Sequence, residues 1–378
     1  MRLAEVIEVL DAAYPPRLAQ SWDSVGLVCG DPADEVESVT IAVDATAAVV
    51  DAVPDGGLLL AHHPLLLRGV DTVAADTAKG ALVHRLIRSG RALFTAHTNA
   101  DSPAGGVSES LALALGLTGV RPLEADARPP VDKIVVFAPA GSADAVRAAI
   151  SEAGAGRIGD YDQASFSAPG EGRFRPLAGA DPAVGEVGRA ETVEEVRIES
   201  VMPRSSREAV VAAMLRVHPY EEPAYDVIEL AALDEPDRGS GRVGTLPEAI
   251  TLREFAEHVS RTLPATAHGV RVAGDPDQRV ESVGLCGGAG DFLLDRARAA
   301  GVDVNLTSDL RHHPASELRE HAAGTGAPAL VDVAHWAAES TWLPVLQRRL
   351  AAALGVTVEV DISPLNTDPW AFTVPGRV

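Results

Sequence analysis

The sequence has few cysteines, few aromatic residues and no long apolar run. Its 378 residues include two cysteines, Cys29 and Cys286, and aromatic residues make up 4%. Two cysteines cannot form a disulfide framework, so we expect a protein of the reducing cytoplasm. A membrane-spanning helix needs about 18 or more apolar residues in succession, and no such run occurs, so no membrane span is expected.

A net basic charge is also lacking. Lysine and arginine number 32 against 54 aspartates and glutamates, which gives a formal net charge of −22 at pH 7. Such a chain repels polyanions, and no basic patch offsets the repulsion, so we do not expect binding to nucleic acid or to an anionic membrane. A small phosphorylated substrate is still compatible with this charge, because a metal ion can invert the field locally.

The chain does contain a near-repeat of itself. "DPADEVESVTIAVDA" begins at Asp31, and "DPDQRVESVGLCGGA" begins 244 residues later at Asp275. Each copy continues through a helical segment and an apolar strand to the tripeptide "HHP", at 62–64 and 312–314. This shared order predicts an α/β fold with two similar three-layer halves, whose strand ends face a common cleft.

The segment between the copies has another pattern. "KIVVFAPA" predicts a strand and "SADAVRAAISEAG" a helix, and the next two strands are expected to form a hairpin around Pro169 and Gly170. A further strand, helix and strand complete an order typical of a ferredoxin-like α+β domain. The Pro-, Gly- and charge-rich borders predict a first half at 1–128, an inserted domain at 129–236 and a second half at 237–378.

Two adjacent histidines stand at the end of one apolar strand. "LLLAHHPLLL" places His62 and His63 where the strand runs out into a loop, and open α/β sheets bind their ligands at that edge. A single histidine there is most simply a core residue with satisfied hydrogen bonds. Two neighbouring imidazoles before a proline instead favour a binding role.

Two further motifs concentrate side chains that can bind a metal. "FTAHTNAD" puts His97 and Asp101 after another predicted strand, and "LVDVAHWAAES" puts His335 and Glu339 on one helical face, four residues apart. Histidine and carboxylate ligands without cysteine suit Zn²⁺, Fe²⁺, Mn²⁺ or Co²⁺. The set exceeds what one tetrahedral ion needs and therefore favours two divalent ions, although each motif alone can be an ordinary surface pair.

Four separated motifs together resemble one protein family. "QSWDSVGLVCG", "AHHPL", "AHTNAD" and "DVAHWAAE" are similar to the NIF-three-like proteins, also called GTP cyclohydrolase I type 2 homologues or dinuclear metal centre proteins. The resemblance covers the whole chain. The central segment, with "GRIGDYDQASFS" and "HPYEEPAYDV", resembles the PII-like or CutA-like domain inserted in longer bacterial members.

The resemblance implies a two-metal site and names its ligands. Glu339 would bridge the ions, His62 and His63 would each bind a different ion, and the two coordination shells would be completed by Asp101 and His335. "TSDLRHHPA" would bring further groups from the second half. The candidates for moving protons, and hence for catalytic roles, are His97, Asp309 and His313. Ser24 and Ser308 replace the asparagine and the glycine of the family pattern.

The function that this resemblance implies is a GTP cyclohydrolase-like reaction. Metal-activated water would attack C8 of the purine, open the imidazole ring and release formate. A two-metal site serves phosphoesters equally well, so hydrolysis of a nucleotide or another phosphoester is an alternative. The other alternative is a non-catalytic metal-binding scaffold, since the family forms toroidal homohexamers and the insert could sense a ligand.

Overall fold

The structure of the chain, a computed structural model, describes residues 1–374, with the backbone alone at 321–325. Residues 375–378 of the predicted second half lie outside this range. In chain order the elements are α1 (Leu3–Ala13), β1 (Gly26–Cys29), β2 (Ser38–Ala42), α2 (Ala47–Ala52), β3 (Leu58–Ala61), α3 (Ala78–Arg88), β4 (Ala92–Thr95), α4 (Thr98–Asp101), α5 (Val107–Ala114), β5 (Thr118–Ala127), β6 (Val131–Pro139), α6 (Ala143–Glu152), β7 (Phe166–Phe174), β8 (Glu191–Pro203), α7 (Arg207–Val217), β9 (Tyr225–Glu229), β10 (Asp234–Thr251), α8 (Leu252–Thr262), β11 (Val270–Ala273), β12 (Arg279–Ala289), α9 (Leu294–Ala300), β13 (Val304–Ser308), α10 (His312–Thr325), β14 (Ala329–Val333), α11 (His335–Ser340), α12 (Leu343–Leu354) and β15 (Glu359–Ile362).

The chain divides into two compact units. Unit 1 contains residues 1–126 and the described residues from Glu235 onward, and unit 2 is Ala127–Asp234. The predicted α/β class is confirmed, since parallel strands in both sheets of unit 1 are connected through helices. Within residues 1–374, no helix combines the length and the apolar character needed to cross a bilayer.

The two sheets of unit 1 repeat one arrangement of strands. Their orders are β1-β4-β3-β2-β15 and β11-β14-β13-β12-β10-β5. Four neighbouring strands run parallel in the first sheet and three in the second, and an antiparallel strand, β1 or β11, closes the equivalent edge. The two "VESV" segments lead into β2 and lie in β12, so the repeat in sequence is a repeat in structure.

Two strands pair with the sheet that the other copy forms. β5 follows the first copy along the chain but lies at the edge of the six-stranded sheet, and β15 comes last but pairs with β2 in the five-stranded sheet. Buried residues of α1 and α12 pack on the five-stranded sheet, and those of α8 pack on the six-stranded one. All four residues of β3 are buried, as expected for a central parallel strand covered on both faces.

A buried arginine stabilises the turn that follows α4 through hydrogen bonds. The Arg242 side chain is fully buried, and Glu109 accepts a hydrogen bond from its Nε at 3.3 Å. Its two terminal nitrogens donate at 2.8–3.0 Å to the backbone carbonyls of Gly239, Gly241, Ser102 and Pro103. The segments 102–109 and 239–242 are therefore joined through one guanidinium, next to Asp101.

Replacing Arg242 should destabilise unit 1. Arg242→Met leaves four carbonyls and Glu109 without their donor, so we expect the free energy of unfolding to fall by about 3–5 kcal/mol. Denaturation followed by tryptophan fluorescence measures this, because all four tryptophans lie outside unit 2. Arg279→Met, at an exposed pair with Glu281, is the control and should change stability by less than about 0.5 kcal/mol. Equal effects of the two changes would contradict the expectation.

Unit 2 carries a four-stranded antiparallel sheet with the order β7-β8-β6-β9. Its elements follow one another as strand, helix, strand, strand, helix, strand. The predicted hairpin around Pro169 and Gly170 is wrong, because both residues lie within the single strand β7, paired with Val196 and Glu195. β7 is an edge strand, and an edge strand tolerates a proline because its missing N–H can face away from the ladder.

Candidate metal centre

Strand ends of both sheets bring the predicted residues together. His62 and His63 follow β3 directly, and Asp101 ends the short helix α4 that follows β4. On the second sheet, β14 ends at Val333 and α11 begins at His335, so Glu339 lies one turn further along the same face.

The carboxylate of Glu339 lies at the middle of this cluster. Its Oε1 is 2.8 Å from Nε2 of His335 and 3.4 Å from Nε2 of His62, and its Oε2 is 3.0 Å from Nε2 of His63. Nε2 of His62 also lies 3.6 Å from Oδ1 of Asp101. The Glu339 side chain is 4% exposed, so the protein holds an acid among three imidazoles away from bulk water.

Each histidine is held by the ring nitrogen that faces away from Glu339. Nδ1 of His62 contacts the carbonyl oxygen of Ala96 at 2.8 Å. The other three Nδ1 atoms contact carboxylates at 2.7–2.8 Å, in the pairs His63–Asp44, His97–Asp23 and His335–Asp309. An acceptor on Nδ1 fixes the tautomer with a free lone pair on Nε2, which is the usual second shell of histidine ligands to a metal.

Several buried polar atoms of the cluster have no hydrogen-bond partner of ordinary geometry among the described residues. They are Nε2 of His62, Oδ1 of Asp101 and Oε2 of Glu339. Leaving such atoms buried and unsatisfied costs free energy, whereas bound divalent cations would satisfy them. Ligand atoms of two groups, His62–His63–His97 and His63–His335–Glu339, lie within 4.8 Å of one another and could hold a metal ion. The donor set therefore fits a metal.

Without a metal, the charges of the cluster hold protons on the imidazoles. Burial lowers the pKa of His63, but the Glu339 carboxylate and the Asp44 hydrogen bond outweigh it and raise this pKa to about 11. Burial also lowers the pKa of His335, but the Glu339 carboxylate and the Asp309 hydrogen bond outweigh it and raise this pKa to about 10. Burial would raise the pKa of Glu339, but its histidine neighbours hold it well below its ordinary value. The acid is therefore ionised and ready to bind a cation.

A glycine of β12 leaves the space beside Glu339 open. Gly288 has φ +81°, and a Cβ added to it would lie 2.7 Å from Oε1 of Glu339 and 3.2 Å from Nε2 of His335. Sequence reasoning missed this residue. Its signal was the glycine pair inside "GLCGGA", since glycine within a strand marks a bulge or a close approach, and the β12–β13 register shifts there.

Sequence reasoning also assigned no role to Asp23 and Asp44. Asp23 was present in the quoted motif "QSWDSVGLVCG", and its carboxylate accepts hydrogen bonds from both the backbone and the hydroxyl of Thr98 as well as contacting His97. Asp44 is the second residue after β2, just as His63 is the second residue after the adjacent parallel strand β3. The ends of adjacent parallel strands share one sheet edge, and that was the available signal.

The second "HHP" tripeptide does not continue the repeat. Asp309 follows β13 with φ 56°, the chain turns, and α10 begins at His312. Asp309 thus reaches His335, whereas His313 is exposed and its ring packs on that of His312, 5.3 Å away between centroids. Among the described residues, no hydrogen bond, ion pair or ring contact joins His313 to the metal cluster.

Removing a carboxylate behind one histidine should weaken metal binding without emptying the site. In Asp44→Asn the amide no longer fixes His63 with a negative charge, so we expect an affinity for Zn²⁺ about 10–100-fold lower. Competition with a chromophoric chelator measures it. Asp51→Asn, at an exposed residue paired with Arg85, is the matched control and should bind Zn²⁺ like the wild type. Unchanged affinity in Asp44→Asn would show that this contact does not support a metal ligand.

Comparison with known proteins agrees with the geometry. The family model Duf34/NIF3 (NGG1p interacting factor 3) matches residues 1–369. The chain belongs to the Duf34/NIF3 family. A Mycobacterium tuberculosis protein named GTP cyclohydrolase 1 type 2 homolog is 56% identical over 373 residues, covering 98% of this chain and 97% of that protein. A Bacillus subtilis protein of the same name is 36% identical over 373 residues, covering 97% and 98%.

Solved structures similar to this chain extend over the same length. A Bacillus cereus protein related to NIF3 is 37% identical, covers 99% of both chains and superposes with a TM-score of 0.68. A Staphylococcus aureus protein is 26% identical, with a TM-score of 0.78 and 99% coverage of both chains. The resemblance predicted from the four motifs is thus confirmed.

Proposed function

We propose that the chain is a dinuclear-metal-dependent hydrolase of GTP cyclohydrolase type, which opens the imidazole ring of the purine of GTP. The observation that carries the proposal is the convergence of three imidazole Nε2 atoms on the buried carboxylate of Glu339. The names of the relatives supply the substrate class.

The ligands divide naturally between two divalent ions, which we take to be Zn, Fe, Mn or Co. One ion would be held by His62 and Asp101, and the other by His63 and His335. Glu339 would serve both ions, because its carboxylate lies within 3.4 Å of Nε2 atoms of His62, His63 and His335. When bound, the ions would supply a hydroxide near neutral pH and a clamp for an anionic oxygen of the substrate.

The remaining groups would orient ligands and move protons. Asp309 holds His335 through Nδ1 at 2.7 Å and so acts as a positioning residue. His97 is held through Nδ1 by Asp23, and its ring centroid lies 5.2 Å from that of His62. With Nδ1 fixed, Nε2 of His97 is free either to ligate or to accept a proton from the attacking water. The predicted catalytic role of His313 stays a prediction from the family resemblance.

We further propose a cytoplasmic homohexamer with a small nucleotide as its ligand. The support is the family resemblance, together with two cysteines that form no disulfide. The excess of acidic residues suits neither nucleic acid nor an anionic membrane as a partner.

The test of the hydrolase proposal is turnover of GTP by protein reconstituted with Mn²⁺, Fe²⁺ or Zn²⁺, measured as formate release and loss of the purine absorbance. The wild type and His312→Ala, an exposed histidine outside the cluster, should be active, and His63→Ala should not. Phosphate release without formate would favour the phosphoester alternative. Bound metal with neither product would overturn the hydrolase proposal and favour the metal-binding scaffold.

Metal uptake should release protons. At pH 7 the raised pKa values keep His63 and His335 protonated in the metal-free protein, whereas both must be neutral to bind a metal. We therefore expect release of at least about two protons per chain, whereas two histidines of ordinary pKa would release about 0.5. Apparent affinity should accordingly rise with pH until both histidines are neutral, at about pH 11. A pH-stat titration with Zn²⁺ measures the release, and a value below about one proton would contradict the charge balance described for the cluster.

A further inference from the structure

Unit 2 contains a cavity, open to solvent on one side, that the metal site does not use. Its volume is about 750 Å³, within the range of small-molecule sites, and residues 175–184 form part of its wall. Glu195 lines it from β8. The neighbouring Val196 and Ile198 pack with α6 and α7, so by strand alternation Glu195 faces the opposite side of the sheet.

Glu195 is a buried acid without a cation. The residue is 9% exposed, and no lysine or arginine nitrogen lies within ion-pair distance of its carboxylate among the described residues. The carboxylate lies over Gly172, where an added Cβ would come 2.2 Å from its Oε2. A buried carboxylate loses its hydration and is normally paired, so this position is unfavourable unless something positive enters the cavity.

The neighbouring aromatic residues complete a wall around that charge. The rings of Phe174 and Tyr220 lie 5.9 Å apart between centroids, and Phe137 also lines the cavity. The buried hydroxyl of Tyr220 has no hydrogen-bond partner of ordinary geometry among the described residues. Burial first, and then the hydrogen-bonding contact with the Glu195 carboxylate and its charge, raise the pKa of Tyr220 to about 12, so the phenol stays protonated.

A metal ion is a poor occupant for this cavity. The one histidine beside it, His218, uses both ring nitrogens: Nε2 lies 3.0 Å from the carbonyl oxygen of Phe137, and Nδ1 accepts from the backbone N–H of Tyr220. Burial lowers the pKa of His218, so the imidazole is neutral and adds no positive charge. A buried carboxylate beside aromatic rings instead suits a soft organic cation.

We propose that this cavity is a binding site for a small organic cation, an amine whose ammonium group pairs with Glu195 and lies against the rings of Phe174 and Tyr220. Four acidic residues line the cavity against two arginines, and one of these, Arg173, pairs with Glu171. The remaining excess of negative charge, which includes Glu221 and Glu222, attracts a second positive group. Together with the size of the cavity, this favours an extended amine with more than one charge.

The experiment is calorimetric titration of the full chain with spermidine, putrescine and butylamine. Spermidine should bind the wild type most tightly, and Glu195→Gln, which keeps the shape and removes the charge, should weaken it at least about 10-fold. The matched control is Glu194→Gln, the neighbouring exposed acid on the other face of β8, which should bind like the wild type. Tyr220→Phe should weaken binding less than Glu195→Gln does.

The melting temperature of Glu195→Gln shows whether this variant folds. Removing an unpaired buried charge should leave the melting temperature of Glu195→Gln equal to or above that of the wild type in the absence of amine. Added spermidine should raise the melting temperature of the wild type and of Glu194→Gln, but not that of Glu195→Gln. No binding of any of the three amines to the wild type at millimolar concentration, or equal binding by Glu195→Gln, would overturn the proposal.

Discussion

Glu339→Gln should abolish stable metal binding while the fold persists. The carboxylate lies within 3.4 Å of Nε2 atoms on His62, His63 and His335, and no other acid does so among the described residues. An amide keeps the volume but loses both the bridging charge and the attraction that offsets burial of two cations. The loss of metal affinity in Glu339→Gln should exceed the loss of about 10–100-fold that we expect for Asp44→Asn, whose carboxylate contacts a ligand and does not bind the metal itself.

Elemental analysis of protein purified without an affinity tag measures this loss. The wild type should hold about two ions per chain, the number that a bridged pair requires. In Glu339→Gln the metal content should fall to a trace. Glu317→Gln, at an exposed position of α10, is the control and should keep its metal. Chelation should lower the melting temperature of the wild type and of this control but not that of Glu339→Gln. Full metal content in Glu339→Gln would remove Glu339 from the centre of the site.

Gly288→Ala should empty the site by a different route. The new methyl group would stand 2.7 Å from Oε1 of Glu339, and the backbone at φ +81° disfavours any side chain. The first effect displaces ligand atoms, and the second costs about 1–2 kcal/mol of folding free energy. We expect metal content to fall at least about 10-fold, together with that loss of stability in the metal-free protein.

The two effects can be separated with a second glycine. Gly301 also has a positive φ, +67°, but an added Cβ there meets nothing within 4 Å. Gly301→Ala should therefore show the stability loss with normal metal content. If Gly288→Ala retained its metal, the open space beside Glu339 would have no role in ion binding. If both variants lost metal equally, the cause would be backbone strain and not the methyl group placed beside Glu339.

The sequence predicted the parts of the site that local periodicity controls. His335 and Glu339 are four residues apart, so one helical turn brings them together, and their closest atoms are 2.8 Å apart. His62 and His63 follow a strand that an apolar run made easy to recognise. Asp101 was a candidate because it follows another predicted strand in "FTAHTNAD", but nothing in its spacing from the histidine pair indicates that it approaches His62.

The parts that the sequence did not predict depend on contacts across the fold. Asp44 and His63 are 19 residues apart, and Asp23 and His97 are 74 apart, so their pairing requires knowledge of which strands are neighbours. Pro169 indicated a turn because proline usually interrupts a strand, yet an edge position accommodates it. The second "HHP" suggested a second strand end, but a left-handed residue at Asp309 redirects the chain into a helix.

The most direct test of the metal centre is anomalous X-ray diffraction from crystals of Mn²⁺- or Zn²⁺-reconstituted protein. Two peaks about 3.5–4 Å apart should flank Glu339, one beside His62 and Asp101 and the other beside His63 and His335. Absence of any peak next to Glu339 at saturating metal would contradict the assignment of these residues as a metal centre.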